Sequence, residues 1–438
     1  MSRNLRQRAL LSLICALLCV PAVASAGSVE YLTNQSADYI RTFSRNAAID
    51  GVDIVSFNPA GTTWLKDGIH LSLSNQTLVG NYKIEYEGKA YESPVTVPVL
   101  PSLHAAWKTG NLAVFGSVTV PSGGGSLDYK DGIPYLIPLV AYADKVGTDD
   151  SPKNGSFQGS SIFYGVTLGG AYKLLDMVSV SLAARVVIAK KSYIGSVDYG
   201  QGVTSLDVTK SATGFSGIAG LTVRPGFGLT VGLRYELKTA MEFTAKHNKP
   251  FTNFVGNDTL SSSALASFVD GAKEQRDMPS VMGLGIAWTG FGLTLSTSLH
   301  YYDTVGADGK TDSPETVPGT GAGAYVRSWD DDYENGWDAA VSAEYRVMPN
   351  LLVSVGYIHA KIGGSDKTYS DFEFALDSDS IGLGARYNVT DDLGITVGVS
   401  RTFYIEGKNK ALSPLVAEGA ETFNKSVTDI ALGVSYRL

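Results

Sequence analysis

The chain has 438 residues, 44% of them hydrophobic, a formal net charge of −8 and only two cysteines, Cys15 and Cys19. This balance excludes a disulfide-stapled scaffold and a basic nucleic-acid binder. No apolar run after residue 26 approaches the ~20 residues of a membrane helix, which excludes a helical membrane protein but not a β-barrel, whose alternating strands average the apolar half away.

Residues 1–26 read as a signal peptide. Arg3, Arg6 and Arg8 form a basic start, Ala9 to Val20 an apolar core, and Ala24-Ser25-Ala26 a cleavage site. Neither cysteine follows a small residue, which argues against a lipoprotein. Cleavage before Gly27 removes three arginines, taking the net charge from −8 to −11, and removes both cysteines. The mature chain then has no disulfide, thiolate metal site or Cys nucleophile. An exported chain that spans a membrane without helices must do so as a closed barrel.

Residues 27–66 show no strand period and are rich in Asn, Ser, Asp and Arg. A short helix is expected between Ser36 and Asn46. Ile40, Phe43, Ile49, Val52, Ile54, Val55 and Phe57 need a dry place, so the segment reads as a plug folded into the barrel lumen, not a solvated tail. It ends on Asp50 to Gly61, DGVDIVSFNPAG. Asn58-Pro59-Ala60 opens a turn there, because proline forces the residue before it toward extended geometry.

From Gly68 onward apolar residues recur at every second position in fourteen segments, near 68–79, 99–108, 111–121, 160–174, 178–191, 209–224, 227–245, 279–289, 291–303, 335–347, 350–362, 379–389, 392–405 and 427–438. In the seventh, Leu229, Val231, Leu233, Tyr235 and Leu237 oppose Thr230, Gly232, Arg234, Glu236 and Lys238, one face for lipid and one for a polar lumen. Short turns such as Thr109-Gly110, Pro225-Gly226 and Thr289-Gly290 alternate with long loops near 80–98, 122–159, 192–208, 246–278, 304–334, 363–378 and 406–426. Strict alternation of short turns and long loops marks outer-membrane barrels. The expected fold is all-β: a transmembrane antiparallel barrel of about fourteen strands over 67–438, with an N-terminal plug, or hatch, over 27–66. The closing strand, DIALGVSYRL, carries Ile430, Leu432, Val434, Tyr436 and Leu438 on one face, like a barrel-assembly signal.

Pro121-Ser122-Gly123-Gly124-Gly125 follows the third segment. Proline cannot donate to a ladder and glycines mark bulges, so Pro121, Gly123, Gly124 and Gly125 are candidates for a kink; a flexible loop start is the alternative. His70, His104, Lys108, Arg185, Arg234, Glu236, Lys238, Asp338, Glu344, Arg346 and Arg386 read as inward charges; a basic one could hold a carboxylate headgroup, but a mutually paired lining is the favoured reading for each. The run from Asp330 to Asp338 is acidic but lacks EF-hand spacing, so no metal site is assigned. Apolar loop stretches at Val95–Leu100, Ile133–Val140 and Leu260–Val269 must pack on one another or on a ligand. Leu136, Ile137, Leu139 and Val140 are the capture-groove candidates. No H-E-x-x-H or G-x-S-x-G pattern supports catalysis, no phosphate loop follows the triple glycine, and no cofactor is expected.

The order of signal peptide, plug, Asn58-Pro59-Ala60 and fourteen strands resembles the FadL/TodX family of outer-membrane transporters for long-chain fatty acids and other hydrophobic compounds. Pro101-Ser102-Leu103-His104 and the segment Phe115 to Pro121 extend the resemblance. One departure is Ala37-Asp38-Tyr39-Ile40-Arg41, where the family's plug carries a Gly-Leu-Gly-like run. The resemblance implies capture among outer loops, passage to a lumen site above the plug, and lateral release into the membrane through a gap at an inward kink of strand three. Passive uptake of long-chain fatty acids or aromatic hydrocarbons by a monomer in the outer membrane, beside lipid and lipopolysaccharide, is the function expected. An open aqueous porin and a surface adhesin are the rivals; stable ion conductance would favour the first.

Overall fold

The structure, a computed structural model, describes residues 36–134, 154–198, 203–249, 268, 270–312, 326–328, 332–409 and 421–438. Leu136, Ile137, Leu139, Val140 and the leader lie outside them. Fourteen long strands form one closed antiparallel sheet. In chain order they are β1 (Gly68–Tyr86), β2 (Lys89–Thr109), β3 (Leu112–Tyr129), β4 (Asn154–Leu175), β5 (Val178–Asp198), β6 (Val203–Gly226) and β7 (Leu229–Glu236). Then follow β8 (Ser280–Gly290), β9 (Leu293–Asp303), β10 (Gly336–Met348), β11 (Leu351–Lys361), β12 (Ser378–Asn388), β13 (Leu393–Tyr404) and β14 (Glu421–Arg437). Pairing of β1 with β14, from His70 opposite Arg437 to Tyr86 opposite Glu421, closes the ring and leaves no edge. Leu168, Leu182, Leu383 and Leu432 project outward and exposed, as a lipid-facing wall requires.

The fourteen segments are all present, but two expected loops, 80–98 and 192–208, are largely strand, and strand extends into both ends of a third, 122–159. The connection at 80–98 is a hairpin turning at Glu87 and Gly88, both at positive φ. Strand also runs on to Tyr129, from Asn154, to Asp198 and from Val203. The cause is a change of phase. In the turn-end half of β1 the inward residues Ser72, Ser74 and Gln76 are buried and polar, whereas farther out the inward residue Ile84 is fully buried. Lys83 and Glu85 then alternate outward. Beyond the bilayer the wall is polar outside and apolar inside, so the hydrophobic alternation flips. Val95–Leu100, expected as loop, belongs to β2, with Val95, Val97 and Leu100 buried inside the barrel.

Strand seven also differs. It is expected over 227–245, yet β7 stops at Glu236; Leu237–Met241 bulges, and Glu242–His247 resumes pairing with β6 only at Ser211 opposite Thr244. The strand begins late because Gly226-Phe227-Gly228 forms the turn, with Phe227 at φ 55 and 97% exposed. Gly290-Phe291-Gly292 repeats that turn, Phe291 again 97% exposed. Aromatic tips at one rim suit the membrane interface.

The lumen thus has two zones. Toward the outer end, Ile84, Tyr91, Val97, Leu100, Leu127, Phe157, Phe374 and Phe423 pack as one apolar cluster. Toward the turn end the wall is polar, and the N-terminal segment lies against it.

Candidate functional site: the lumen and a break in the wall

The N-terminal segment is short on regular structure and rich in anchors. Ser36 caps a single helical turn, Ala37–Ile40, by accepting from Tyr39 N at 2.9 Å. This is the run that departs from the family pattern. Its residues are buried, and Tyr39 stacks on Phe57 at 5.1 Å and meets Phe43 edge-on at 5.6 Å. Two 3-10 turns follow, Val52–Ser56 and Pro59–Trp64, the second started by Asn58 with Pro59 at its first position.

Inward-facing glycines of the wall receive this segment. A Cβ on Gly382 would strike Ile40 O, on Gly356 Thr42 O, on Gly232 Asn46 O, and on Gly220 Asn58 Oδ1. At the first three, backbone meets backbone, and at Gly220 the Asn58 side chain takes the space, so a side chain on the wall is excluded at each. Several of these glycines sit on the polar face read from sequence, but only the folded chain shows what they admit.

Charges tie the segment down. Buried Arg41 reaches Asp38 at 2.7 Å within the segment and Glu344 on β10. Arg45 pairs with Asp53 at 2.7 Å and Asp50 at 2.9 Å. Burial alone would raise the Asp38 carboxyl, but Arg41, Arg386 and Arg45 outweigh it and hold it below the usual aspartate range. Asn58 Nδ2 donates to Asn46 O at 3.1 Å, Leu221 O at 3.0 Å and Thr222 Oγ1 at 3.0 Å. It therefore clasps the segment to β6. Pro59 and Ala60 form the turn beside it, and Ser179 Oγ donates to Ala60 O at 2.8 Å. Near the turn end Trp64 lies under Lys173 and Arg224, at 4.0 and 4.7 Å. A cavity of about 320 Å³ opens there between the segment and the wall, lined in part by Ile49, Val52, Leu65 and Arg386.

The wall is broken beside strand three. β2 pairs with β3 only from Thr109–Leu112 to Leu103–Val118, although β2 stays paired with β1 to Lys89 and β3 with β4 to Tyr129. The outer halves of β2 and β3 thus part company. Register shifts in β3 fall between Thr119 and Ser122 and between Gly123 and Gly125. Gly123 and Gly124 have φ of 74° and 120°, which L side chains rarely adopt, so these glycines permit the bend. Proline at 121 removes a donor at the same point. The four kink candidates thus lie in the wall at the break, not in a loop. Leu100 packs on Gly124, and Asp128 N donates to Ser93 Oγ at 2.7 Å above it. His104, one residue from the last β2–β3 pair, bonds Ser56 of the N-terminal segment at 2.8 Å. The Pro101–His104 motif and the segment ending at Pro121 therefore flank one break in the ladder.

The inward charges separate into two groups. His104, Arg185, Arg234, Glu236, Asp338 and Glu344 are buried in the lumen. His70, Lys108, Lys238 and Arg346 serve strand ends: His70 contacts Lys66 O, Lys108 Asp67, Lys238 Asp308, and Arg346 Pro349 O. Arg386 reaches Asp50 O. Asp338, read both as an inward charge of the tenth segment and as the end of the acidic run, is inward and buried on β10 and bonds His300 at 2.7 Å and Tyr302 at 2.5 Å.

No family model matches the sequence, and no curated protein is similar to it. Solved structures are. A Pseudomonas aeruginosa FadL homologue superposes with a TM-score of 0.65 over 94% of this chain and 100% of its own, at 16% identity. The fold is that of the FadL and TodX barrels. The Pseudomonas putida toluene transporter TodX gives 0.64 at 14% identity, covering 91% of this chain and 99% of its own. The Ralstonia pickettii toluene transporter TbuX gives 0.60, also at 14%. Identity this low explains why side-chain patterns, not whole-sequence similarity, carried the resemblance to the FadL/TodX fold.

Proposed function

We propose that this protein is a passive outer-membrane carrier of long-chain fatty acids or similar hydrophobic molecules, with residues 27–66 as plug and a lateral exit at strand three. The observation that carries the reading is the combination in one barrel of an apolar outer lumen with a ladder break between β2 and β3 at the same level. An aqueous porin has no use for either. A hydrophobic molecule entering from outside meets buried Leu100, Leu127 and Phe157, and its easiest way out is sideways. Each CH₂ kept from water stabilises it by about 0.8 kcal/mol, so passage into lipid beside Pro121–Gly125 is favoured over passage down a wet pore. Asn58-Pro59-Ala60 acts as the clasp of the plug, because Asn58 joins Asn46 of the plug to β6 of the wall. Leu136, Ile137, Leu139 and Val140 remain the proposed capture groove. The chemistry is transport, without catalysis or cofactor, by a monomer whose wall must face lipid for lateral release. The names of TodX and TbuX as toluene transporters support a hydrophobic cargo.

The test is equilibrium binding of a fluorescent long-chain fatty acid to refolded mature protein and to a variant lacking residues 27–46. Saturable binding, displaced by oleate and weakened by the deletion, is expected. Absence of binding together with large steady ion currents from the intact protein would replace this reading with the porin.

A further inference from the structure

We propose that Asp371, Glu421 and Asn409 form a binding site for a divalent cation of the calcium class at the outer end of the barrel, joining the β11–β12 connection to β14. The site does not depend on what the barrel carries. Glu421 opens β14 opposite Tyr86, the last pair of the seam that closes the ring. It is buried, and so is Asp371 in the connection between β11 and β12. The two carboxyl groups are in hydrogen-bond contact. Carboxylates that close repel each other unless a proton or a cation stands between them.

A third oxygen favours the cation. Asn409 is 2% exposed. Its backbone N–H donates to Glu421 O at 3.4 Å, and its Nδ2 donates to the Glu421 carboxylate. Its Oδ1 is buried without a hydrogen-bond partner among the described residues. A shared proton would leave that acceptor stranded, a costly state in a dry site. A half-turn of the amide puts Oδ1 in the place of Nδ2, against Glu421, and there a cation lets the oxygens meet. Calcium takes about six to eight oxygen ligands, carboxylate and amide oxygens among them, and water completes the shell. Among the described residues no Lys, Arg or His pairs with Glu421, and burial raises its carboxyl above the ordinary glutamate range. The neighbourhood is acidic as well: the Tyr91 hydroxyl, raised first by burial, also feels the charges of Asp371, Glu87 and Asp131. Such a concentration of negative charge draws in a divalent ion.

The three residues come from three stretches that a bound ion would fix together. Asp371 is followed by Phe372, which meets Phe157 edge-on at 5.2 Å. Phe374 lies 5.0 Å from Phe423 and 5.7 Å from Tyr82. Phe374 and Leu376 are members of the apolar cluster of the outer lumen, so this connection packs into that cluster. Asn409 follows a two-residue strand, Gly407–Lys408, paired with β14 at Phe423 and Thr422. A cation held by Asp371, Asn409 and Glu421 therefore ties the β11–β12 connection to the barrel seam at the point where its aromatic rings enter the lumen.

The experiment is tyrosine-sensitised terbium luminescence of chelator-washed, detergent-solubilised mature protein, with calcium as the competitor. It compares wild type with Asp371→Asn, Glu421→Gln and Asn409→Asp. Terbium stands in for calcium, and Tyr91 and Tyr129, both within reach of the Asp371 charge, supply the antenna. Wild type is expected to bind terbium saturably and to release it to calcium at about 10⁻⁴–10⁻³ M, the range of extracellular oxygen-ligand sites. Removing either carboxylate charge should weaken calcium binding by about tenfold or more, and Asn409→Asp, which adds one, should tighten it by about as much. Folding is checked by heat-modifiable electrophoretic mobility. Equal calcium affinity in all four proteins overturns the site and leaves the two carboxyl groups joined by a shared proton. Should the two neutral variants not fold, Asn409→Asp decides: unchanged calcium affinity there overturns the site. Absence of calcium-displaceable luminescence from wild type overturns it outright.

Discussion

Arg41 illustrates how single residues hold this molecule together. Its side chain is fully buried between Asp38 and Glu344, so it joins the N-terminal segment to the wall through hydrogen-bonded ion pairs. Arg41→Met leaves two carboxylates facing each other in a dry site and is expected to destabilise by about 3–5 kcal/mol. Urea unfolding followed by electrophoretic mobility would measure it, and a loss under about 1 kcal/mol would show the pair to be solvated. Acid should act on the same contact in a defined direction. The Asp38 carboxyl is held below its ordinary 3.8, so it contributes stability above that pH and loses it only as pH falls through its lower, native value. The segment over residues 36–65 is therefore expected to stay seated from neutral pH down to about pH 4, near the unperturbed aspartate value. Hydrogen exchange corrected for intrinsic rate would follow it; release near pH 6 would contradict the assignment. The sequence showed these charges but not their partners, because Arg41 and Glu344 lie far apart in the chain.

Among the elements, strand three departs most from regular structure. Its inner half is ordinary ladder, and beyond Val118 it abandons β2 while keeping β4. Unpaired backbone in a membrane wall costs several kcal/mol per group unless protein covers it, so such a break persists only where it is covered or used. Leu100 on Gly124 is the cover. The two cysteines, Cys15 and Cys19, both lie ahead of the expected cleavage site at Gly27, so a new pair in the barrel is unambiguous. Ser93→Cys on β2 with Asp128→Cys on β3, which face each other across the break, oxidised, is expected to stop most hydrophobic uptake in cells, with recovery on reduction. Unchanged uptake in the cross-linked protein would place the exit elsewhere. An irregular backbone was legible in Pro121-Ser122-Gly123-Gly124-Gly125, since proline and glycine limit what a ladder can do there, and the register shifts fall at these residues. That it lies in the wall, not a loop, was not legible, because the wall extends past the bilayer.

At the scale of the whole molecule, the described residues fill the lumen at two levels: the N-terminal segment lies against the polar half and the apolar cluster packs in the outer half. Intact protein in planar bilayers is accordingly expected to pass little steady ion current, whereas removal of residues 27–66 leaves the apolar half as the remaining barrier and should raise conductance. Large stable currents before deletion would favour the porin. The two-zone lumen also explains the phase flip along β1. A strand that crosses a bilayer and continues into water must exchange its faces, since the apolar side belongs outward in lipid and inward above it.

Period-two alternation determined by itself that the chain would form about fourteen antiparallel strands, because each side of a barrel wall imposes its own solvent on alternate residues. The order of short and long connections determined the closure, and proline and glycine marked the kink and the clasp as local backbone constraints. Tertiary structure alone decided the rest. It showed that inward glycines of the wall are seats for the N-terminal segment and that Asn58 spans Asn46 and β6. It also showed that Glu236 is shared by two arginines, one of them a whole strand pair away. Those facts depend on register and closure, which bring distant positions to one point. Alternation records which face a residue takes and never which residue it meets.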